Sequence, residues 1–149
     1  MATRRIHEEE VAVYERRLRE AGQFLTVQRR AILHYLIRHR VHPTTTQIAR
    51  AVLRSNSASQ ATVYNNLNLF AQLELVRAVR SPHEGGDTRW DLRTDAHHHI
   101  SCTECGQVLD IEPSAAEVLV HDLSLARRVV QSQAWFTGVC EACSAKSDN

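Results

Sequence analysis

Four cysteines stand in two pairs, Cys102-Thr-Glu-Cys105 and Cys140-Glu-Ala-Cys143, separated by 34 residues. Two CxxC knuckles can present four thiolates tetrahedrally to one Zn²⁺, and the doubled spacing makes this a specific signal. Paired disulfides are the weaker use, because the first residues, MATRRIHEEE, contain no apolar secretory stretch and a cytoplasmic chain is expected. A thioredoxin-like redox pair is disfavoured as well, since the motif comes twice and without a βαβ setting. Immediately upstream lies Asp95-Ala-His97-His98-His99. In a strand, His97 and His99 point to one side and can share a metal, while His98 points to the other. With Asp91, Asp95 and Asp110 nearby in the chain, this run is more polar than a core needs. Plain surface decoration is the competing reading. His42, followed by Pro43, reads as a lead-in to a helix, and His7, His34, His39, His83 and His121 have no partners that spacing can supply.

The zinc ligands would staple the first strand of a small domain to its C-terminal tail, in a module with little core of its own. Between the knuckles the pattern reads strand, helix, strand. Val108–Ile111 is short and apolar, and Pro113 opens a helix with Val118, Leu119, Leu123 and Leu125. Val129–Val139 alternates loosely, with Trp135 and Phe136 expected to be buried. Upstream, Val11, Val13, Tyr14, Leu18 and Ala21 mark a helix from Glu8 to Ala21, ended by Gly22. Thr26 caps a helix through Arg38 with Ala31, Ile32, Tyr35 and Leu36 inward. Thr44 or Thr45 caps a short helix from Thr46 to Leu53 that buries Ile48, Ala49 and Val52. After a loop over Arg54–Ser59, Ser59 caps a helix carrying Ala61, Val63, Leu67 and Phe70. Leu75–Arg80 alternates, Pro82–Gly86 turns, and Arg89–Leu92 returns as a second strand.

That order is a winged helix-turn-helix. In it, Ser59, Gln60, Thr62, Tyr64, Asn65 and Asn66 could reach base edges, with Arg54, Arg77 and Arg80 on phosphates. A solvated polar face within a helical bundle is the alternative. Arg16, Arg17 and Arg19, with Glu15 and Glu20 alongside, read as an ordinary exposed face.

Length and composition suit one ordinary domain or two small ones. The chain has 149 residues, 43% hydrophobic, with a net charge of +1 that excludes a uniformly basic nucleic-acid coat. No stretch approaches the roughly 18 apolar residues of a membrane span. Charge is divided unevenly: residues 1–93 carry 15 Arg against nine acids, and residues 94–149 carry three basic residues against eight acids. A basic half joined to an acidic half suits a nucleic-acid-binding module attached to a sensing or assembly module. The expected architecture is α+β: a winged helix-turn-helix DNA-binding domain over 1–93, then a small α/β dimerisation and metal-binding domain over 94–149 with a four-cysteine zinc site.

Leu25-Thr-Val-Gln-Arg29, His42-Pro43-Thr44, Ala61-Thr-Val-Tyr-Asn-Asn-Leu67, Arg89-Trp-Asp91, His97-His-His99 with Cys102xxCys105, and Gly138-Val-Cys140xxCys143 occur in that order. On these motifs the chain resembles the ferric uptake regulator (Fur) family over nearly its whole length. The family's members are dimeric, metal-activated repressors. Within it the chain is most similar to the peroxide-sensing (PerR) branch: Asn65 follows Tyr64 where iron-uptake members more often have Arg. Asp110 stands where many members carry Glu, and the Val129–Phe136 strand offers Gln131 and Gln133 but no His.

The resemblance implies a regulatory Fe²⁺ or Mn²⁺ site made of His42, Asp91, His97, His99 and Asp110, beside the structural Zn²⁺ of Cys102, Cys105, Cys140 and Cys143. His98, Asp95 or Glu112 could replace one of these ligands. In the resembling peroxide sensors Fe²⁺ reacts with H₂O₂ and a ligand His is oxidised, which releases DNA; His42 and His97 match the oxidised positions. The expected function is a metal-dependent, peroxide-responsive repressor, a homodimer on a palindromic DNA operator with no enzymatic or membrane role. A manganese- or iron-uptake regulator without peroxide sensing is the alternative. More distant are a zinc-dependent hydrolase, for which no general base is placed by any motif, and a zinc-stapled interaction module without a DNA role.

Overall fold

A computed structural model describes residues 2–40, 42–53, 59–80, 88–112 and 134–147. The chain forms two compact units, Met1–Thr94 and Asp95–Asn149. Among the described residues no helix is long and apolar enough to cross a membrane.

The first unit contains helices α1 (Ala2–Glu20), α2 (Val27–His39), α3 (Thr45–Leu53) and α4 (Gln60–Gln72), then strands β1 (Arg77–Val79) and β2 (Arg89–Asp91). Helix α1 starts six residues earlier than the apolar pattern predicts, and of that pattern Val11 and Leu18 are buried whereas Val13 is exposed. Its end is set by Gly22, which adopts φ +71° while its N–H reaches the Arg19 carbonyl. Thr26 caps α2 by accepting from the Arg29 N–H, and Ser59 caps α4 by accepting from the Thr62 N–H. Each such cap is worth about 1 kcal/mol. At α3 the cap is Thr44, which exchanges side-chain and backbone hydrogen bonds with Gln47 in a capping box. Leu18, Ile32, Leu33, Leu36, Ile48, Val52, Val63, Leu67, Phe70 and Trp90 form one continuous core. Ala61, expected on the inner face of α4, is exposed.

Strands β1 and β2 pair antiparallel, with Ala78 opposite Trp90. They are shorter than the alternation from Leu75 suggests, since Leu75 and Val76 are both buried and join the core instead. Helices α2–α4 and this two-stranded ribbon make a winged helix. The turn expected at Pro82–Gly86 and most of the loop at Arg54–Ser59 lie outside the described residues.

Glu15 corrects the sequence expectation of an exposed charged face. It is buried, accepting from Arg30 Nε at 2.6 Å and from an Arg19 guanidinium nitrogen at 3.2 Å. Arg30 lies on α2, so this carboxylate fastens α1 to the helix-turn-helix.

The second unit is a three-stranded sheet in the order β4-β3-β5, followed by helix α5 (Glu141–Ser147). Strand β3 (His98–Cys102) pairs antiparallel with β4 (Val108–Ile111) and parallel with β5 (Trp135–Gly138). The helix expected from Pro113, and the Val129–Val139 strand up to Gln133, fall outside the described residues. Trp135 is half-buried, but Phe136 is 37% exposed and is not the core residue expected.

Glu15→Ala should lower unfolding stability by about 1–2 kcal/mol. A hydrogen bond to a charged group is worth about 1.5–3 kcal/mol, and both arginines remain partly solvated. Chemical denaturation checks this, and an unchanged midpoint would show that α1 is held by apolar packing alone.

Candidate metal centres

The cysteine centre is built by β3, the turn after it, and the start of α5. Cys102 ends β3. Gly106, at φ +67°, bends the chain so that its N–H meets the Cys102 carbonyl and Cys105 turns back toward Cys102. The parallel pairing of β5 sets Gly138 beside Cys102, which brings Cys140 two residues later to the same end of the sheet. The four sulfurs lie within 4.8 Å of one another, with Cys105 and Cys140 at 3.8 Å. None of the four is in a disulfide.

The Cys140 N–H donates to Cys102 Sγ at 3.3 Å. This donor, with the backbone N–H of Cys105, lowers the Cys102 thiol to about 6. Cys143 is pushed up to about 12 by the sulfurs of Cys140 and Cys105. Four crowded sulfurs resist ionising together unless a cation neutralises them. The donor set and the knuckle spacing fit a tetrahedral Zn²⁺.

A second constellation lies in the same unit. His97 and His99 are both fully buried, with their Nε2 atoms 3.0 Å apart. Asp110 Oδ1 lies 3.6 Å from His97 Nε2 and 3.9 Å from His99 Nε2. The antiparallel register sets Asp110 directly opposite His99. His97 Nδ1 donates to the Asp95 carbonyl at 2.9 Å, which turns Nε2 toward the cluster. His99 stacks on the Trp135 indole, ring centroids 5.1 Å apart. His98 faces the other side of β3, where its Nδ1 accepts from the Ala134 N–H. Asp95 therefore enters through its backbone, a role that residue spacing does not signal, and Glu112 is exposed beyond the end of β4.

In the first unit, His42 Nε2 lies 3.5 Å from Asp91 Oδ2, with both side chains buried. Their placement comes from backbone pairing. The Trp90 N–H donates to the Pro43 carbonyl at 3.0 Å, Arg89 donates to the His42 carbonyl, and Thr44 bridges to Arg89. Trp90 Nε1 also donates to Thr45 Oγ1 at 2.8 Å, which pins the start of α3 to β2. Asp91 Oδ1 accepts from the Arg93 N–H. Buried imidazoles and carboxylates of this kind suit a divalent transition metal.

Along α4 the residues expected to face DNA are arranged unequally. Tyr64 is 49% exposed, and Gln60 and Asn65 are exposed, with Gln60 Nε2 at 3.4 Å from Thr46 Oγ1. The Ser59 and Thr62 hydroxyls are 2.9 Å apart within the cap. Asn66 is half-buried, donating to the Thr62 carbonyl and accepting from Arg29 Nε. Arg80 is exposed, whereas half-buried Arg77 donates to the Thr94 carbonyl. Arg54 lies outside the described residues.

A winged helix and a sheet module with cysteine and histidine–aspartate ligand sets, in one chain, define the class of a metal-binding winged-helix regulator. The sequence profile of the ferric uptake regulator family matches residues 20–131, and the chain belongs to that family. The chain is 34% identical over 138 residues to the peroxide-responsive repressor PerR of Staphylococcus aureus, covering 87% of this chain and 88% of that protein. Its fold is similar to that of a zinc uptake regulator complexed with zinc and DNA, at a TM-score of 0.71 and 19% identity, covering 96% of this chain and 98% of that one. It is also similar to the Helicobacter pylori ferric uptake regulator Fur, at a TM-score of 0.67 and 16% identity, covering 91% and 93% of the two chains.

Cys140→Ala should abolish thiolate-bound metal and expose the backbone of β3 and β5 to hydrogen exchange, while amides of α2–α4 stay protected. Acidification should release the same metal, since protonation removes the thiolate donors. Metal content and exchange that match the wild type would mean that the four sulfurs carry no structural ion.

Proposed function

We propose that this protein is a metal-dependent, DNA-binding transcriptional repressor that responds to peroxide. The observation that carries the reading is the buried His97–His99 pair, its Nε2 atoms converging at 3.0 Å beside Asp110, with the His97 tautomer set by the Asp95 carbonyl. The 34% identity to a peroxide-responsive repressor supports the same branch of the family.

In this reading His42, Asp91, His97, His99 and Asp110 together hold one regulatory Fe²⁺ or Mn²⁺. His42 and Asp91 come from the DNA-binding domain, 1–93, and the other three from the dimerisation domain, 94–149. Bound Fe²⁺ would supply the reactivity toward peroxide. The residues would supply the rest: His97 and His99 would offer imidazole nitrogens, Asp91 and Asp110 carboxylate oxygens, and burial of four of the five would keep bulk water away. Holding ligands from both domains on one ion would set the angle of the winged helices in a homodimer, and so the distance between two recognition helices on a palindromic operator. Without the ion, apparent affinity would fall with the fraction of molecules in the competent arrangement. The Cys102, Cys105, Cys140 and Cys143 site would hold structural Zn²⁺ and keep the dimerisation module folded.

On DNA, Tyr64, Asn65, Gln60 and Thr62 would face base edges, Ser59 would hold the start of the recognition helix, and Arg77 and Arg80 would lie toward the phosphates. The bond from Arg77 to Thr94 gives that residue a structural tie as well.

His97→Ala should leave a folded protein whose affinity for a palindromic promoter fragment no longer rises with Mn²⁺. Mild H₂O₂ applied to the Fe²⁺ form should add oxygen to His42 or His97, detected by peptide mass spectrometry, with loss of DNA binding. Unoxidised histidines with retained binding would instead favour an uptake regulator without peroxide sensing.

Asn65→Ala should cost about 1–3 kcal/mol on the preferred operator and relax specificity at one base pair. Arg80→Ala should weaken binding to all sequences alike and reduce the salt slope by about 1. Equal effects of the two variants on specific and random DNA would reject this assignment of base and phosphate roles.

A further inference from the structure

The first unit contains a histidine pair outside the proposed regulatory site. His7 on α1 and His34 on α2 are 27 positions apart in sequence, yet His34 Nδ1 and His7 Nε2 lie 3.4 Å apart. Their rings are 5.4 Å apart between centroids and tilted by 38°. A nitrogen–nitrogen separation of 3.4 Å is long for a hydrogen bond, for which about 2.9–3.0 Å is usual. It does match the bite of two ligands on one tetrahedral ion: metal–nitrogen bonds of about 2.0–2.1 Å put the two nitrogens about 3.3–3.4 Å apart.

The pair opens onto a cleft of about 220 Å³, lined also by Tyr35, Arg38, His39 and Val52. The cleft has room for water ligands on the open side of an ion. His39, whose ring lies 4.4 Å from that of Tyr35 and is tilted by 41°, is a further imidazole donor in the same wall. Arg38 supplies a cation that would hold an anionic co-ligand such as hydroxide or chloride.

We propose that His7 and His34 form a separate binding site for a borderline divalent metal, within the DNA-binding unit itself. A nitrogen donor set without carboxylates selects Zn²⁺, Ni²⁺ or Cu²⁺ over Mn²⁺, by ligand softness and by the general affinity order of these ions. This preference differs from that of the oxygen-richer His/Asp set. A bound ion would cross-link α1 to α2, adding to the ties that Glu15 makes with Arg30 and that Glu10 makes with Arg40. Metal here would therefore brace α1 against the helix that packs beside α4, without using a ligand of the regulatory site.

Zn²⁺ titrated into the full-length protein against a chromophoric chelator tests this. The wild type should take up one more Zn²⁺ per chain than His7→Gln or His34→Gln. Loss of an outer-shell partner alone weakens metal binding by about 10–100-fold, so loss of a ligand should weaken this site at least about tenfold. In the wild type, the imidazole ¹⁵N resonances of His7 and His34 should shift together as that equivalent binds. Equal uptake by all three proteins, or imidazole resonances that do not move, would overturn the site and leave the pair as a stretched hydrogen bond. The imidazole readout needs no variant, so a folding defect in either Gln protein would not blunt the test.

Discussion

Strand β3 is paired on both edges, and the registers of those two pairings set Asp110 against the histidine pair and the β5 end against Cys102. Pairing with β4 sets Asp110 across from His99, and pairing with β5 sets Gly138 beside Cys102. One five-residue strand thus serves a carboxylate–imidazole set near its start and a thiolate set at its end. A slip of one residue on either edge would carry side chains to the opposite face. It would replace His99 by His98 in the first set and draw Cys140 away from Cys102. A tetrathiolate ion at the end of β3 would oppose such a slip, because its ligands come from β3, the following turn and α5.

The first unit solves a similar positioning problem with backbone hydrogen bonds. His42 is not in a helix or a named strand. Its segment runs beside β2, bonded through Pro43 to Trp90 and through the His42 carbonyl to Arg89. Trp90 is at the centre of this arrangement: its ring fills the core, its indole N–H holds Thr45, and its neighbour Asp91 reaches His42. A buried Trp needs a partner for its N–H, and here that partner is at the first residue of α3. The same core that supports α4 consequently holds the His42–Asp91 pair.

Helix α4 is supported in two different ways. Ser59 and Thr62 use their hydroxyls in the cap, so they define where α4 starts, while Tyr64, Gln60 and Asn65 remain exposed. Asn66 is held from below by Arg29 of α2, whose guanidinium also donates to the Phe24 carbonyl. Arg29 thereby joins the cap region of α2 to the middle of α4. Helix α1 contributes to the same scaffold through buried Glu15, although its sequence reads as a row of solvated charges.

The sequence by itself determined the order of helices and strands in the first unit, the capping residues Thr26 and Ser59, the cysteine knuckles and the opposite facing of His97 and His98, because these depend on local propensity and on short fixed spacings; helix α5 is not among the expected elements. The family resemblance implied a ligand role for His42, Asp91 and Asp110, where periodicity alone read His42 as a helix lead-in. Tertiary structure decided what depends on distant partners. Glu15 is buried because Arg30 lies on the neighbouring helix. Asp95 takes part through a carbonyl that any residue could offer, held 2.9 Å from His97 Nδ1. His7 and His34 meet only because α1 packs along α2. No spacing rule relates positions 27 residues apart on two helices, so that pair becomes visible only when the helices are placed.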